Sequence, residues 1–203
     1  MKLLDTFCGA GGCSMGYHRA GFDVVGVDLH PQPHYPFEFV QGDAIEYIQA
    51  HGHEFDVIHA SPPCQHYSGM QHIWDNAKNH PDLIAETRKA LQATGKPYVI
   101  ENVEGAPLQA RLMLCGTMFG LPIIRHRFFE CSSLPFVLMR PCDHRNVYDP
   151  WHGPGRTADK FRAAMGIDWM PDAGGGQRTG TVAQAIPPAY TEWIGKRLLE
   201  VLQ

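Results

Sequence analysis

The tetrapeptide Pro62-Pro63-Cys64-Gln65 closes an apolar run, FDVIHA, that reads as a strand. A thiol carried on a backbone stiffened by two prolines suits a nucleophile aimed at a substrate. Matching chemistry sits at the ends of other apolar runs. LLDTFC breaks into the glycine-rich stretch 9–12, where Gly9, Gly11 and Gly12 would let backbone amides approach a ligand at a helix N-terminus, as in a cofactor loop. DVVGVD ends on Asp28, about 20 residues after the glycines, the spacing at which an acidic side chain can bind ribose hydroxyls. FEFVQGDA delivers a second carboxylate, Asp43.

These side chains need strands to carry them. Strand-like runs at residues 3–7, 23–27, 37–41, 56–60 and 98–102 alternate with segments that read as helices. Alternation of this kind argues for an α/β fold, a mostly parallel sheet covered on both faces, of the Rossmann-like type. One helix follows the glycines through Tyr17 and Ala20. A second spans residues 82–93 after Pro81 and is closed by Gly95. A glycine loop by itself is weak support for a cofactor site, because most glycine pairs are simply turns. A ligand crevice at the carboxyl ends of the strands explains why the glycine loop, Asp28, Asp43 and the Pro-Pro-Cys turn all follow successive strands.

The connection 61–80 is long, as active-site lids are. From 131 to about 180 the pattern changes to proline, glycine, histidine and arginine with scattered aromatics. A final helix from Thr191, with Trp193, Ile194, Leu198 and Val201 on one face, is expected to fold back onto the catalytic layer. The expected organisation is therefore a catalytic and cofactor-binding domain at 1–130, a small recognition-like region at 131–180, and a returning segment at 181–203.

A chain of 203 residues, 44% of them hydrophobic, can bury the core of one α/β domain with little left over. It shows no basic-flanked apolar leader and no apolar run approaching the ~18 residues of a membrane span, so a soluble, intracellular protein without a membrane partner is expected. Six cysteines in that setting read as free thiols. A net charge of −4 exerts no global pull on nucleic acid. Binding to DNA would then fall to a local basic face, for which Arg125, Arg127, Arg140 and Arg145 are the candidates. Cys131, Cys142, His144 and His152 offer metal ligands in a segment too small for its own core, which a structural zinc ion would organise. They include no paired C-x-x-C, and ordinary thiols with scattered surface histidines account for them better.

DTFCGAGG, ASPPCQHYS, Glu101-Asn102-Val103 and Arg125-His126-Arg127 occur in an order that resembles the DNA cytosine-5 methyltransferases, over residues 3–130 and again at 181–195. The resemblance implies S-adenosylmethionine as cofactor, DNA as partner, and methyl transfer to carbon 5 of cytosine. That carbon is too poor a nucleophile to attack a methyl sulfonium, so the Cys64 thiolate would first add to carbon 6. Glu101 would hold the adjacent ring nitrogen with a protonated carboxyl, and Asn102 would brace the strand end. Arg125 and Arg127 would lower the thiol pKa or fix the base carbonyl. By the same resemblance Phe7 lies against adenine, Asp43 meets its amino group, Asp28 the ribose, the glycines the methionine moiety, and Pro62 lines the cofactor pocket. Pro63, Gln65, Ser68 and Asn102 would face a flipped base, with Gln65, Tyr67 and Ser68 in the closing loop.

Three departures qualify the match. Ile123 stands where the family carries a glutamine, the region 131–180 is short for target recognition, and Ala183 and Gln184 replace Gly-Asn near the donor end of the cofactor. Single strands, RNA or a free nucleotide as substrate, a variant donor, and a catalytically silent nucleic-acid-binding protein therefore stay open as alternatives.

Overall fold

The structure is a computed structural model that describes residues 1–64, 67, 82–135, 138–145, 147, 157–170 and 180–202. Its described strands are β1 (Lys2–Thr6), β2 (Asp23–Asp28), β3 (Glu38–Gln41), β4 (Val57–Ala60), β5 (Tyr98–Asn102), β6 (Leu112–Leu114) and β7 (Arg127–Cys131). They form a single sheet in the order β3-β2-β1-β4-β5-β7-β6. The first five run parallel, while β7 is antiparallel to both β5 and β6. Strand order reverses between β1 and β4, which opens a crevice at the carboxyl edge where ligands bind in folds of this type. The carboxyl ends of β1, β2, β4 and β5 carry or lead into the glycine loop, Asp28, Cys64 and Glu101.

The helices are α1 (Gly12–Ala20), α2 (Ala44–His51), α3 (Ile84–Thr94), α4 (Ala158–Met165), α5 (Gly180–Gln184) and α6 (Pro188–Leu202). Side chains alternate across a strand, and here they divide between two layers. Leu3, Val57 and Val99 join Tyr17, Phe22, Tyr190, Ile194 and Leu198 on the α1/α6 face. Leu4, Ile58 and Ile100 join Ile45, Ile48 and Leu91 on the α2/α3 face. Helices α1 and α6 approach closely because glycines line their crossing. A Cβ on Gly16 would fall 2.0 Å from Thr191 Oγ1, and one on Gly195 would fall 2.8 Å from the Ala20 Cβ. Thr191 Oγ1 closes the crossing by donating to the Cys13 carbonyl at 2.8 Å.

Strand β5 has the limits expected from sequence, and the other parallel strands differ by a residue or so at their ends. The final helix begins at Pro188 rather than Thr191, since a proline's fixed φ and missing N–H suit the first helical turn. Sequence pattern did not disclose β6, β7 or α4. Helix α4 lies inside the stretch expected to be irregular, capped by Thr157 Oγ1, which accepts from Lys160 N, and ended by Gly166 at φ 69°. Its Phe161 and Met165 bury against Ala10, Ile123 and Val182, and Trp169 Nε1 donates to the Ala10 carbonyl at 2.9 Å. This segment therefore backs the glycine loop instead of standing apart. No helix among the described residues is long and apolar enough to cross a membrane.

Candidate active site

The glycine loop turns sharply out of β1. Phe7 takes a left-handed backbone at φ 56°, a costly position for a bulky residue, and its ring lies against the α2/α3 core. Gly9 and Gly11 follow at φ 49° and 86°, and α1 starts without a side-chain cap, so its first amides are open to an anion or dipole. The glycines are not equivalent. A Cβ on Gly9 would meet nothing within 4 Å, whereas one on Gly11 would touch Tyr35 and Pro36 at 3.1 Å and one on Gly12 the Ile186 carbonyl at 2.6 Å. Gly9 thus faces open space, while Gly11 and Gly12 are small because the protein itself packs there.

Asp28 is held by this loop, since Gly9 N and His30 N each donate to one of its carboxylate oxygens at 2.9 Å. A carboxylate offers about four lone-pair directions, so both oxygens can still accept from vicinal hydroxyls. Asp43 has a structural duty the sequence reading did not assign. Its Oδ1 caps α2, accepting from Ile45 N at 2.8 Å and Glu46 N at 2.9 Å, which leaves Oδ2 for an amino donor. Asp5 is a further group that the reading missed. Ser14 Oγ donates to Asp5 Oδ2, Tyr35 and Ser14 share a 2.7 Å hydroxyl contact, and Asp5 Oδ1 is buried with no partner among the described residues. Burial pushes the Asp5 carboxyl up to about 7. The open loop, the tethered Asp28 and the spare Asp43 oxygen together suit a ligand with hydroxyl and amino donors.

Across the crevice, β4 leads through Ser61 into Pro62, Pro63 and the half-buried Cys64. Asn102, 1% exposed at the end of β5, fixes this turn. Its Nδ2 donates to the Pro62 carbonyl at 3.0 Å and its Oδ1 accepts from Val103 N at 2.9 Å. The side chain therefore braces the turn at the strand end.

Glu101 is buried at the same strand end, paired with Arg127 through Nε at 3.2 Å. Burial pushes its carboxyl up, while the Arg127 and Arg125 cations and a Ser61 hydrogen bond pull it back. Ser61 leads inward, its hydroxyl 2.9 Å from His59 Nε2, and His59 Nδ1 is 2.9 Å from the Tyr17 hydroxyl. Burial lowers His59 to about 3, so the ring is neutral. The assignment that satisfies every atom has Tyr17 donating to Nδ1, Nε2–H to Ser61 and Ser61 to Glu101. A histidine inside the otherwise apolar run FDVIHA was the available signal for this buried chain.

Arg125 is wholly buried, its Nη2 donating to the Ala183 carbonyl at 2.8 Å while the Tyr190 hydroxyl donates to its own carbonyl. Desolvation, with Arg127 beside it, lowers its guanidinium to about 9. The two arginines pull the Cys64 thiol down, as expected. Burial, joined by the Glu101 charge, outweighs them and leaves the thiol above its ordinary value. The Glu101 charge is one of the forces that keeps Cys64 a thiol, so a neutral Glu101 would favour the thiolate.

Elsewhere the expected residues divide. Gln65, Ser68 and His152 lie outside the described residues. All six cysteines are free thiols. Cys131 closes β7 and packs against the α1/α6 core, away from Cys142 and His144. Glu130, unremarked in the sequence, forms a two-pronged pair with Arg88 at 2.7 and 2.8 Å that pins α3 to β7. The basic face proposed for 125–145 is partly consumed internally, since Arg125 is buried and Arg127 paired; Arg145 pairs with Asp143 at the surface.

Comparison with known proteins gives this geometry a lineage. Residues 1–111 match the family model of C-5 cytosine-specific DNA methylases. The Type II methyltransferase M.HgiDI of Herpetosiphon aurantiacus is 29% identical over 160 residues, covering 64% of this chain and 51% of the relative. M.HgiGI from the same organism is 32% identical over 123 residues, covering 53% and 94%. The chain spans about half the length of the first relative and nearly all of the second. A prophage-encoded E. coli protein, named as a candidate DNA modification methyltransferase, superposes with a TM-score of 0.68 at 16% identity over 100% of this chain and 99% of its own, which establishes the shared methyltransferase fold. The matched segment contains the glycine loop, Asp28, Asp43, Cys64 and Glu101. With those residues gathered at one crevice of that fold, the chain belongs to the C-5 cytosine-specific DNA methylase family.

Proposed function

We propose that the protein transfers a methyl group from S-adenosylmethionine to carbon 5 of cytosine in DNA. The observation that carries this reading is the placement of Glu101, ion-paired to Arg127 at 3.2 Å, on the strand whose Asn102 ties down the Cys64 turn. A cytosine seated there presents its ring nitrogen to the carboxyl and its carbon 6 to the thiol.

S-adenosylmethionine supplies an electrophilic methyl group; Phe7, Gly9, Asp28 and Asp43 would hold it on the β1–β3 side. The chain's own residues prepare the acceptor. Cys64, having lost its proton, forms a bond to carbon 6, and Glu101 donates a hydrogen bond to the ring nitrogen as negative charge develops there. The ring becomes an enamine whose carbon 5 takes the methyl group. A general base then takes the carbon 5 proton, and the electron pair it leaves re-forms the carbon 5–carbon 6 double bond as the Cys64 thiolate departs. Arg125 and Arg127 favour the thiolate throughout, and burial of Glu101 favours its protonated form before the base arrives. The target base has to leave the duplex stack to reach Cys64. The region 131–180, which includes α4, would supply recognition of a short sequence.

Fluorine at carbon 5 cannot depart as a proton, so DNA containing 5-fluorocytosine should trap the protein in a denaturation-resistant adduct that depends on S-adenosylmethionine. Peptide mapping should place the link at Cys64, Cys64→Ser should abolish it, and Glu101→Gln should slow its formation severely. Retained methyl transfer in Cys64→Ser, or an adduct at Cys8 or Cys115, would overturn the mechanism. Parallel transfer of labelled methyl to duplex DNA, single strands, RNA and dCMP identifies the substrate.

A further inference from the structure

Cys115 follows β6, His126 immediately precedes β7, and Cys142 and His144 belong to the stretch 138–145. The four side chains nevertheless converge, each offering one ligand atom, and these atoms all lie within 4.8 Å of one another. The individual separations are informative. Cys115 Sγ is 3.5 Å from His144 Nε2, Cys142 Sγ is 3.6 Å from His126 Nε2, and the two Nε2 atoms are 3.2 Å apart. A tetrahedral ion with metal–sulfur bonds of ~2.3 Å and metal–nitrogen bonds of ~2.05 Å requires sulfur–nitrogen edges of ~3.5 Å and a nitrogen–nitrogen edge of ~3.3 Å. These three of the six edges meet that requirement to within about 0.1 Å, and the other three are no longer than 4.8 Å, so an ion would draw the set slightly inward.

Local structure supports the arrangement. Cys142 and His144 flank Asp143, which is engaged with Arg145, so the residue between the two donors is directed to a different partner. Thr117 Oγ1 donates to Cys115 Sγ at 3.5 Å, the kind of outer hydrogen bond that steadies a ligating sulfur. Burial is graded from the enclosed Cys115 to the exposed His144, leaving a path by which an ion can enter.

We propose that Cys115, His126, Cys142 and His144 bind one zinc ion. Two thiolates neutralise the dication, the Cys2His2 set selects zinc by ligand type, and four protein ligands leave no open position, which marks a structural site rather than a catalytic one. The ion joins the end of β6, the entry to β7 and the stretch 138–145. Because His126 lies between Arg125 and Arg127, the same ion fixes the backbone from which both arginines reach the crevice. This replaces the sequence-based set, from which only Cys142 and His144 remain. Cys131 lies outside the cluster.

The test uses the full chain purified without added metal and dialysed against a weak chelator. Elemental analysis should give one equivalent of zinc. Cobalt(II) replacement should give the visible absorption and thiolate charge-transfer bands of a tetrahedral site. Cys142→Ser should lose the metal, and His144→Ala, at the exposed position, should lose most of it, whereas Cys131→Ser should keep a full equivalent. Should Cys142→Ser fail to fold, the wild-type protein still decides. Stripping its zinc should expose two further thiols to a disulfide reagent, and adding zinc back should protect them. Zinc far below one equivalent with no tetrahedral cobalt spectrum would overturn the proposal, as would a Cys115–Cys142 disulfide in the purified protein or full metal retention in the Cys142→Ser, His144→Ala double variant.

Discussion

Asn102 tethers the turn that carries Cys64, and Asn102→Ala measures that role. The substitution removes a 3.0 Å bond to the Pro62 carbonyl and a 2.9 Å bond from Val103 N, at a site only 1% exposed. Water does not readily replace either partner, so each lost bond costs about 1–2 kcal/mol, or about 3 kcal/mol together. For a domain of this size about 2–4 °C is lost per kcal/mol, giving a melting temperature roughly 6–12 °C lower. The Pro62-Pro63-Cys64 turn loses its tether to β5, and a misplacement of about 1 Å at a reacting atom can cost about 10²-fold in rate. Asn102→Asp sharpens the test. It keeps an acceptor for Val103 N but sets a carboxylate oxygen against the Pro62 carbonyl, so it should be no better than alanine. Thermal unfolding and single-turnover methyl transfer at saturating DNA, below the melting temperature of each variant, separate stability from rate. Wild-type turnover in a folded Asn102→Ala protein, or a melting temperature within about 1 °C of wild type, would refute the tether.

Two further perturbations address the cofactor side. Asp43→Ser keeps a capping oxygen for α2 but lacks the second carboxylate oxygen; stability should change by only a few tenths of a kcal/mol, while calorimetric affinity for S-adenosylhomocysteine should fall about 10-fold or more. Equal affinity would reduce Asp43 to a helix cap. Burial raises Asp5 from 3.8 to about 7, so the stability linked to its protonated form is fully present below about pH 4 and is lost as pH rises through about 7. That corresponds to at most about 4 kcal/mol. Asp5→Asn stays neutral, and its stability relative to wild type should climb across this window in urea titrations and level off above it; a pH-independent difference would contradict the burial argument.

Much of the chemistry was legible because it is written locally. Proline stiffens the Cys64 turn, glycine permits the positive φ of the β1 exit, and the length and spacing of the apolar runs mark a parallel sheet whose carboxyl ends carry function. These signals span a few residues each, so the family motifs survived without any knowledge of the fold. The same locality explains the errors at 131–180. Helix α4 is short, its apolar residues are covered by distant Ile123, Val182 and Ala10, and composition alone reads as loop.

The sequence by itself determined the candidate side chains, the strands that end beside them and the order in which they occur. Tertiary structure decided which of them meet. Glu101 finds Arg127 because β7 lies antiparallel to β5 with Asn102 opposite Phe128, a register no local pattern encodes. Asp43 also caps α2, Gly12 is small for the sake of the Ile186 backbone, and Asn102 ties down Pro62. Among the described residues Cys115 and His126, and not Cys131, cluster with Cys142 and His144. Each of these pairings joins residues separated along the chain, and their proximity follows from strand register and layer packing, which are properties of the whole sheet.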